Sequence, residues 1–304
     1  MKQFNLYIAN LLQESRYNFY LSFTRLVVCL LLIKKLLFQL SFVNLLYSGK
    51  SFLIPGNNII NEFMFSFKAD IIRYNIYIYL SFYLVLILLY LFGIGRNITA
   101  LIVFLMYDIL QKLCPQILNG GDNLLRFILL YLIFANSFSY FVIEKRKSKK
   151  VNSITNFFSN LTGLSICIHL CLIYFISAIH KIHSDVWFNG VATYYTLNIE
   201  RFNGSPFNHF VGKNYVFVTL STYGTWFIEL LYPILVWYRN WRYTMIIFAI
   251  LLHLSIAILM MLYDFQFLFI VVQGFFISNK IWVTKYESLL LKVRTYFLIN
   301  PLFK

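Results

Sequence analysis

Residues Phe157 to Ile179 read FFSNLTGLSICIHLCLIYFISAI, an apolar run without a single Lys, Arg, Asp or Glu. A spanning helix needs about 20 largely apolar residues, so this stretch is long enough to cross a bilayer. Only helices and closed barrels satisfy their backbone groups in lipid, and the run lacks the alternation of a barrel strand. Working outward, comparable stretches occur at Leu21 to Leu46, Asn75 to Ile94, Ile98 to Leu118, Leu124 to Ile143, Tyr215 to Trp237, Tyr243 to Leu262 and Phe265 to Ile277. The last is short and open to a partly re-entrant reading. The expected fold is all-α, a polytopic transmembrane helical bundle of about eight spans.

Composition agrees with this class. Hydrophobic residues make up 60% of the chain and charged ones 12%, against about 25% charged in a soluble domain. Met1 to Arg16 are polar and mixed, with no short apolar core before a small-residue cleavage site, so no removable signal peptide is expected. There is no internal repeat and no separate soluble domain. The reading is a single transmembrane domain over residues 1–279, followed by a basic tail over 280–304.

Basic loops set the expected orientation, because Lys and Arg in short loops favour the cytoplasmic side. Lys145, Arg146, Lys147, Lys149 and Lys150 fall between the fourth and fifth spans, and Arg239 and Arg242 between the sixth and seventh. Counting from these loops puts both termini and Arg96 inside. Ser48 to Tyr74, Asn119 to Asn123, and His180 to Asn214 are then outside. The expected location is the inner, cytoplasmic membrane of a bacterium.

The formal charge of +15 follows this pattern and the tail, where Lys285, Lys292, Arg294 and Lys304 alternate with Trp282, Tyr286, Leu290 and Phe297. An amphipathic tail on anionic membrane lipid accounts for it, and no nucleic-acid partner is expected. Cys29, Cys167 and Cys171 sit within expected spans and Cys114 near the outer surface, so no disulfide framework is suggested.

Ionisable groups within spans are costly and mark candidate functional positions. Asp108 and Lys112 are spaced i,i+4 and can pair along one helix face. Lys34 and Lys35 interrupt the first span: either that helix is broken, or their stems reach a polar interior. Glu229 lies four residues before Pro233, where the ring weakens the local ladder. It suits either a protonated structural group or a proton relay.

The end of the fifth span carries the densest chemistry, Ser-Ala-Ile-His-Lys-Ile-His-Ser-Asp-Val-Trp from Ser177 to Trp187. His169, His180 and His183 share one side of a helical wheel if the helix continues that far, which would form a file of imidazoles. His180, His183 and Asp185 could contribute to a metal site, but no further ligand can be placed and a metal is not expected. Lys181, flanked by two histidines, is the candidate base. The plain alternative is a helix-end anchor, with Trp187 in the aromatic belt. The turn Asn119-Gly120-Gly121-Asp122-Asn123 falls on the same expected face, with Asp122 suited to cap a helix starting at Leu124.

These residues carry a resemblance. An early span with Arg25, the Asn-Gly-Gly-Asp-Asn-Leu-Leu-Arg turn from Asn119 to Arg126, and the pattern from His180 through Asp185 and Trp187 to Gly190 resemble the HTTM family. So do the Glu229–Pro233 segment and His253 followed by Phe265 and Phe267. The family comprises membrane domains similar to the vitamin K-dependent gamma-carboxylase. Within it, the chain is similar to the bacterial branch of sporulation-delaying protein B-like factors, which mature a secreted toxin peptide.

The resemblance implies that Lys181 is a base that deprotonates a reduced quinone at the outer side. It also implies that Glu229 and His253 support the interior. The pattern departs from the carboxylase at Gly121-Asp122, where that enzyme has an Asn-His pair. No large lumenal region follows the spans, so vitamin K-dependent carboxylation is not implied and substrate recognition is expected to need a partner protein. The expected function is maturation of an exported precursor peptide at an outward site of Asp122, His180, Lys181, His183 and Asp185, with a reduced quinone as candidate cosubstrate. Asn119, Gly120, Gly121 and Trp187 would support that site. Two other classes stay open: a proton-coupled transporter using Asp108, Lys112, His169, Glu229 and His253, and a non-catalytic scaffold for a small partner protein.

Overall fold

The computed structural model describes residues 11–47, 59–61, 66–143 and 152–299. The basic run Lys145 to Lys150, most of Ser48 to Tyr74, and Lys304 lie outside the described residues. The first elements are α1 (Asn18–Leu40), α2 (Val43–Tyr47), and an antiparallel pair β1 (Ile59–Asn61) and β2 (Ser66–Lys68), with Ile59 opposite Lys68. Then come α3 (Ala69–Tyr74), α4 (Ile76–Phe92), α5 (Arg96–Leu113), α6 (Gly120–Phe134) and α7 (Ser153–Ile182). Three short helices follow, α8 (Asp185–Phe188), α9 (Ala192–Asn198) and α10 (Phe207–Gly212). The chain continues with α11 (Tyr215–Leu235), α12 (Arg239–Met260), α13 (Tyr263–Val272) and α14 (Asn279–Ile299).

Apart from the small hairpin, the described fold is helical. Helices α7 and α12 are long and apolar enough to cross a membrane. The pair Tyr263–Phe276 and Asn279–Val293, bent by 108°, counts as one more if it forms a single span. The chain forms two compact units. One contains Met1–Leu118, Arg126–Gly163 and Ile277–Lys304; the other contains Asn119–Leu125 and Leu164–Phe276.

Arg25 organises the first unit. It is fully buried, at 0% exposure, and among the described residues its hydrogen-bond partners are backbone carbonyls. Its Nε donates to Ser137 O at 2.9 Å, one terminal nitrogen to Tyr90 O and Leu91 O at 2.6 and 2.5 Å, and the other to Tyr140 O and Phe141 O at 3.1 and 2.7 Å. Tyr90 and Leu91 lie in the last turn of α4, where helix carbonyls lack donors and the dipole favours a cation. Gly93, at φ +80, ends that helix in the left-handed region. The guanidinium therefore ties α1 to the end of α4 and to the chain following α6.

This tie explains a departure from the expected fourth span. The helix ends at Phe134, well short of Ile143, because the carbonyls of Ser137, Tyr140 and Phe141 turn toward Arg25. The first span also differs. Helix α1 runs unbroken through Lys34 and Lys35 and ends at Leu40, before the short α2. The unbroken helix decides against a break at the two lysines; straight-chain lysine has good helix propensity. Asp108 pairs with Lys112, as its spacing allows, and also with Arg126 Nε at 2.5 Å.

The tail is helical in its described part, but one side of it packs on protein. Trp282 lies 5.0 Å from the Tyr20 ring and Tyr286 5.2 Å from Phe19, while Asn279 Oδ1 accepts from Phe19 N–H at 3.0 Å. These two aromatics are therefore committed to α1, whereas Leu289 and Leu291 remain exposed.

Candidate functional site

In the second unit, Tyr174, Ser177 and Lys181 on α7 are spaced i, i+3, i+7 and share a face; Glu229 and Tyr232 on α11 are spaced i, i+3. The two faces meet. Lys181 Nζ forms a salt bridge with Glu229 Oε1, donates to Ser177 Oγ at 3.2 Å, and lies 4.6 Å from the centre of the Trp187 ring. Glu229 is only 8% exposed, and its Oε2 is buried with no hydrogen-bond partner among the described residues. Pro233, one turn later, has no N–H for the Glu229 carbonyl, yet α11 continues to Leu235.

Trp187 is positioned by a tight connection. Ser184 N–H donates to Lys181 O at 3.2 Å and Trp187 N–H to Ser184 O at 3.0 Å, which turns the chain sharply after α7. Tyr223 OH donates to Phe188 O at 2.7 Å. Gly190 has φ +72, and a Cβ there would come within 3.0 Å of the Tyr223 ring. A glycine permits both that conformation and that approach.

Beside the pair lies a buried polar network. Tyr232 OH donates to Gln273 Oε1, Gln273 Nε2 donates to Tyr174 OH at 3.0 Å, and Tyr174 OH meets His253 Nε2 at 2.6 Å. His253 Nδ1 in turn meets Gln266 Oε1. An amide oxygen can only accept, so Nδ1 carries the proton and Nε2 accepts from Tyr174. All the donors in the chain then run in one direction. Both ring nitrogens of a neutral His253 are satisfied. Replacing His253 with Phe leaves the Tyr174 hydroxyl proton without its acceptor and the Gln266 oxygen without its donor; a loss of about 1–3 kcal/mol per stranded group is expected as a lower unfolding temperature in detergent.

The structure arranges the sequence candidates differently from their order in the chain. His180, His183 and Asp185 are exposed. Helix α7 ends at Ile182, so His183 lies beyond it, and its Nδ1 is 2.8 Å from Ile179 O. A continuous imidazole file through His183 is thereby excluded. The immediate surroundings of Lys181 are supplied by Glu229, Ser177 and Trp187. Tyr174, Tyr232, Gln266 and Gln273 were not singled out in the sequence; the only signal for them was polar groups within apolar runs.

The Asn119–Asp122 turn also has a local explanation. Helix α6 starts at Gly120, so Asp122 lies in its first turn and does not precede it. Asn119 Oδ1 accepts from Gly121 N–H at 2.8 Å and Asp122 N–H at 3.3 Å, while Asp122 Oδ2 accepts from Asn119 N–H at 3.0 Å. This is a reciprocal cap, with Asn119 as the capping residue. The glycines pack on α13: a Cβ at Gly121 would lie 2.8 Å from Phe265 Cα. Gly121→Ala is expected to destabilise the protein by about 1–3 kcal/mol through overpacking, measurable as a lower thermal midpoint. Among the described residues no three His, Cys, Asp or Glu side chains gather as a metal-binding group.

Comparison with known proteins does not extend this picture. No protein family, curated protein or solved structure matches the chain.

Proposed function

We propose that this chain is a membrane-embedded acid–base enzyme that matures an exported precursor peptide, with Lys181 as the base and Glu229 as its proton partner. The carrying observation is the largely buried Lys181–Glu229 pair, closed on one side by Trp187, with one carboxylate oxygen that has no hydrogen-bond partner among the described residues. In a poorly polar interior the ionic and neutral forms of such a pair lie closer in energy than in water. Passage of one proton from Lys181 to Glu229 leaves a free amine. That amine takes a proton from the substrate, leaving a substrate anion beside the ammonium. Ser177 and Trp187 hold the amine in place throughout.

The same reading covers the whole chain: an HTTM-like bundle of about eight spans, both termini cytoplasmic, in a bacterial inner membrane. The basic loops support that orientation. The unpartnered Glu229 oxygen and Lys181 suit a hydroxyl-bearing cosubstrate such as a reduced quinone; when bound it would supply an acidic hydroxyl soluble in the bilayer. A small partner protein would present the peptide.

Peptides exported by cells with wild-type protein or Glu229→Gln, at equal membrane levels, test this reading. A product present only with wild type is expected; identical peptide profiles would remove Glu229 from the mechanism. A proton-coupled transporter is the second reading, favoured by the one-directional Tyr232–Gln273–Tyr174–His253–Gln266 chain. Proton flux in proteoliposomes without a chemically changed peptide would select it.

A further inference from the structure

The Lys181–Glu229 contact lies far along α11. Glu229 follows Tyr215, the start of the helix, by about 14 residues, or roughly 21 Å at 1.5 Å per residue. Helix α7 stops here, at Ile182. Beside the earlier part of α11 runs the segment 184–214, with α8, α9, a 3₁₀ turn at Glu200–Phe202, and α10.

This segment is fastened to α11 well below its start. Thr193 N–H donates to Thr222 Oγ1 at 3.1 Å, the hydroxyls of Ser221 and Thr222 each donate to Thr193 Oγ1 at 2.9 Å, and Tyr223 OH donates to Phe188 O. Residues 221–223 are roughly 10 Å along the axis from Tyr215. The segment also satisfies much of its own backbone. Phe202 N–H donates to Ile199 O at 2.8 Å, and buried Asn208 donates to Phe202 O at 3.0 Å. Non-helical chain at membrane depth is tolerated only where it is buried in protein or lines a water-filled cavity, and here the bonds to Thr222 and Tyr223 hold the segment against α11.

Its outward side is aromatic. Phe210 is 80% and Phe188 75% exposed, and Tyr195 and Phe207 are exposed as well. The ionisable residues fall mostly at the ends and bends of the segment: Asp185 opens α8, Glu200 and Arg201 form the 3₁₀ turn, and Lys213 follows α10, with exposed His209 inside that short helix. Large exposed aromatics with charges confined to bends suit the boundary between headgroups and acyl chains.

We infer that residues 184–214 form a re-entrant element in the outer half of the bilayer, with Phe188, Tyr195, Phe207 and Phe210 facing lipid. The Lys181–Glu229 pair is then reached through the membrane, not from the outer aqueous phase. This inference rests on α11 being a span.

Nitroxide labels at Phe188→Cys, Tyr195→Cys, Phe210→Cys and, as a span reference, Leu220→Cys would test it in phosphatidylcholine–phosphatidylglycerol liposomes. The native Cys29, Cys114, Cys167 and Cys171 are buried, and the unsubstituted protein supplies the background signal. Each variant is first checked for monodisperse elution, and three positions in the segment guard against one misfolded variant. The expected result is several-fold greater collision with oxygen than with a water-soluble nickel chelate at all four positions. Nickel access at the three segment positions, with Leu220 shielded, overturns the re-entrant assignment while sparing the span. Nickel access at Leu220 too overturns both.

Discussion

Arg25→Met is expected to abolish accumulation of folded protein. The wild-type guanidinium supplies donors to five buried or part-buried backbone carbonyls, and a thioether supplies none. Stranding a buried acceptor costs about 1–3 kcal/mol, so even partial relaxation leaves a loss of about 5 kcal/mol or more, comparable with the whole stability of many domains. Arg25→Lys is expected to rescue little, because a compact ammonium with three donors cannot span a fan of carbonyls drawn from residues 90–91 and 137–141. Size-exclusion profiles and thermal midpoints after detergent extraction check this. A wild-type profile for Arg25→Met would show that the carbonyl cluster does not hold the first unit together.

The second large effect concerns the Lys181–Glu229 pair. Removing one member of a buried ion pair leaves an uncompensated charge and costs about 3–5 kcal/mol, whereas replacing both by apolar groups is often neutral. Lys181→Met and Glu229→Leu are each expected to lower the thermal midpoint, and the double variant to regain most of the loss. The double variant should nevertheless lack peptide maturation, because it restores packing without a proton acceptor. A double variant that loses stability additively would mean that the two side chains are not coupled.

The parts of the fold legible in the sequence are those set by local composition. The uncharged run Phe157–Ile179 lies within α7 and Tyr243–Leu262 largely within α12, because an apolar stretch of that length favours an unbroken helix wherever it packs. The end of α6 at Phe134 was not legible. Ala135-Asn136-Ser137 contains neither proline nor glycine, and the cause is a guanidinium more than a hundred residues earlier. The reciprocal cap at Asn119 and Asp122 was written in the spacing Asn-x-x-Asp, yet its helix was placed four residues too late.

The candidate site divides along the same line. Lys181, Glu229 and His253 stood out as ionisable groups in apolar surroundings, which is a property of sequence. That Lys181 meets Glu229 depends on how α7 and α11 pack, which the neighbouring histidines in the chain do not report. His180 and His183 are adjacent in sequence but outward in space. Gln266 and Gln273 join one network through His253 and Tyr174, which the fold places between them.

In the proposed mechanism Lys181 works by losing a proton, and Lys181→Arg separates that role from a purely cationic one. Arginine keeps the positive charge and can still pair with Glu229, but it does not deprotonate in a protein. The measurement is mass spectrometry of exported peptides from cells carrying wild-type protein or Lys181→Arg at matched membrane levels. The prediction is a folded variant from which the matured peptide is missing. An unchanged peptide product from Lys181→Arg would contradict the account and leave Lys181 as a structural cation.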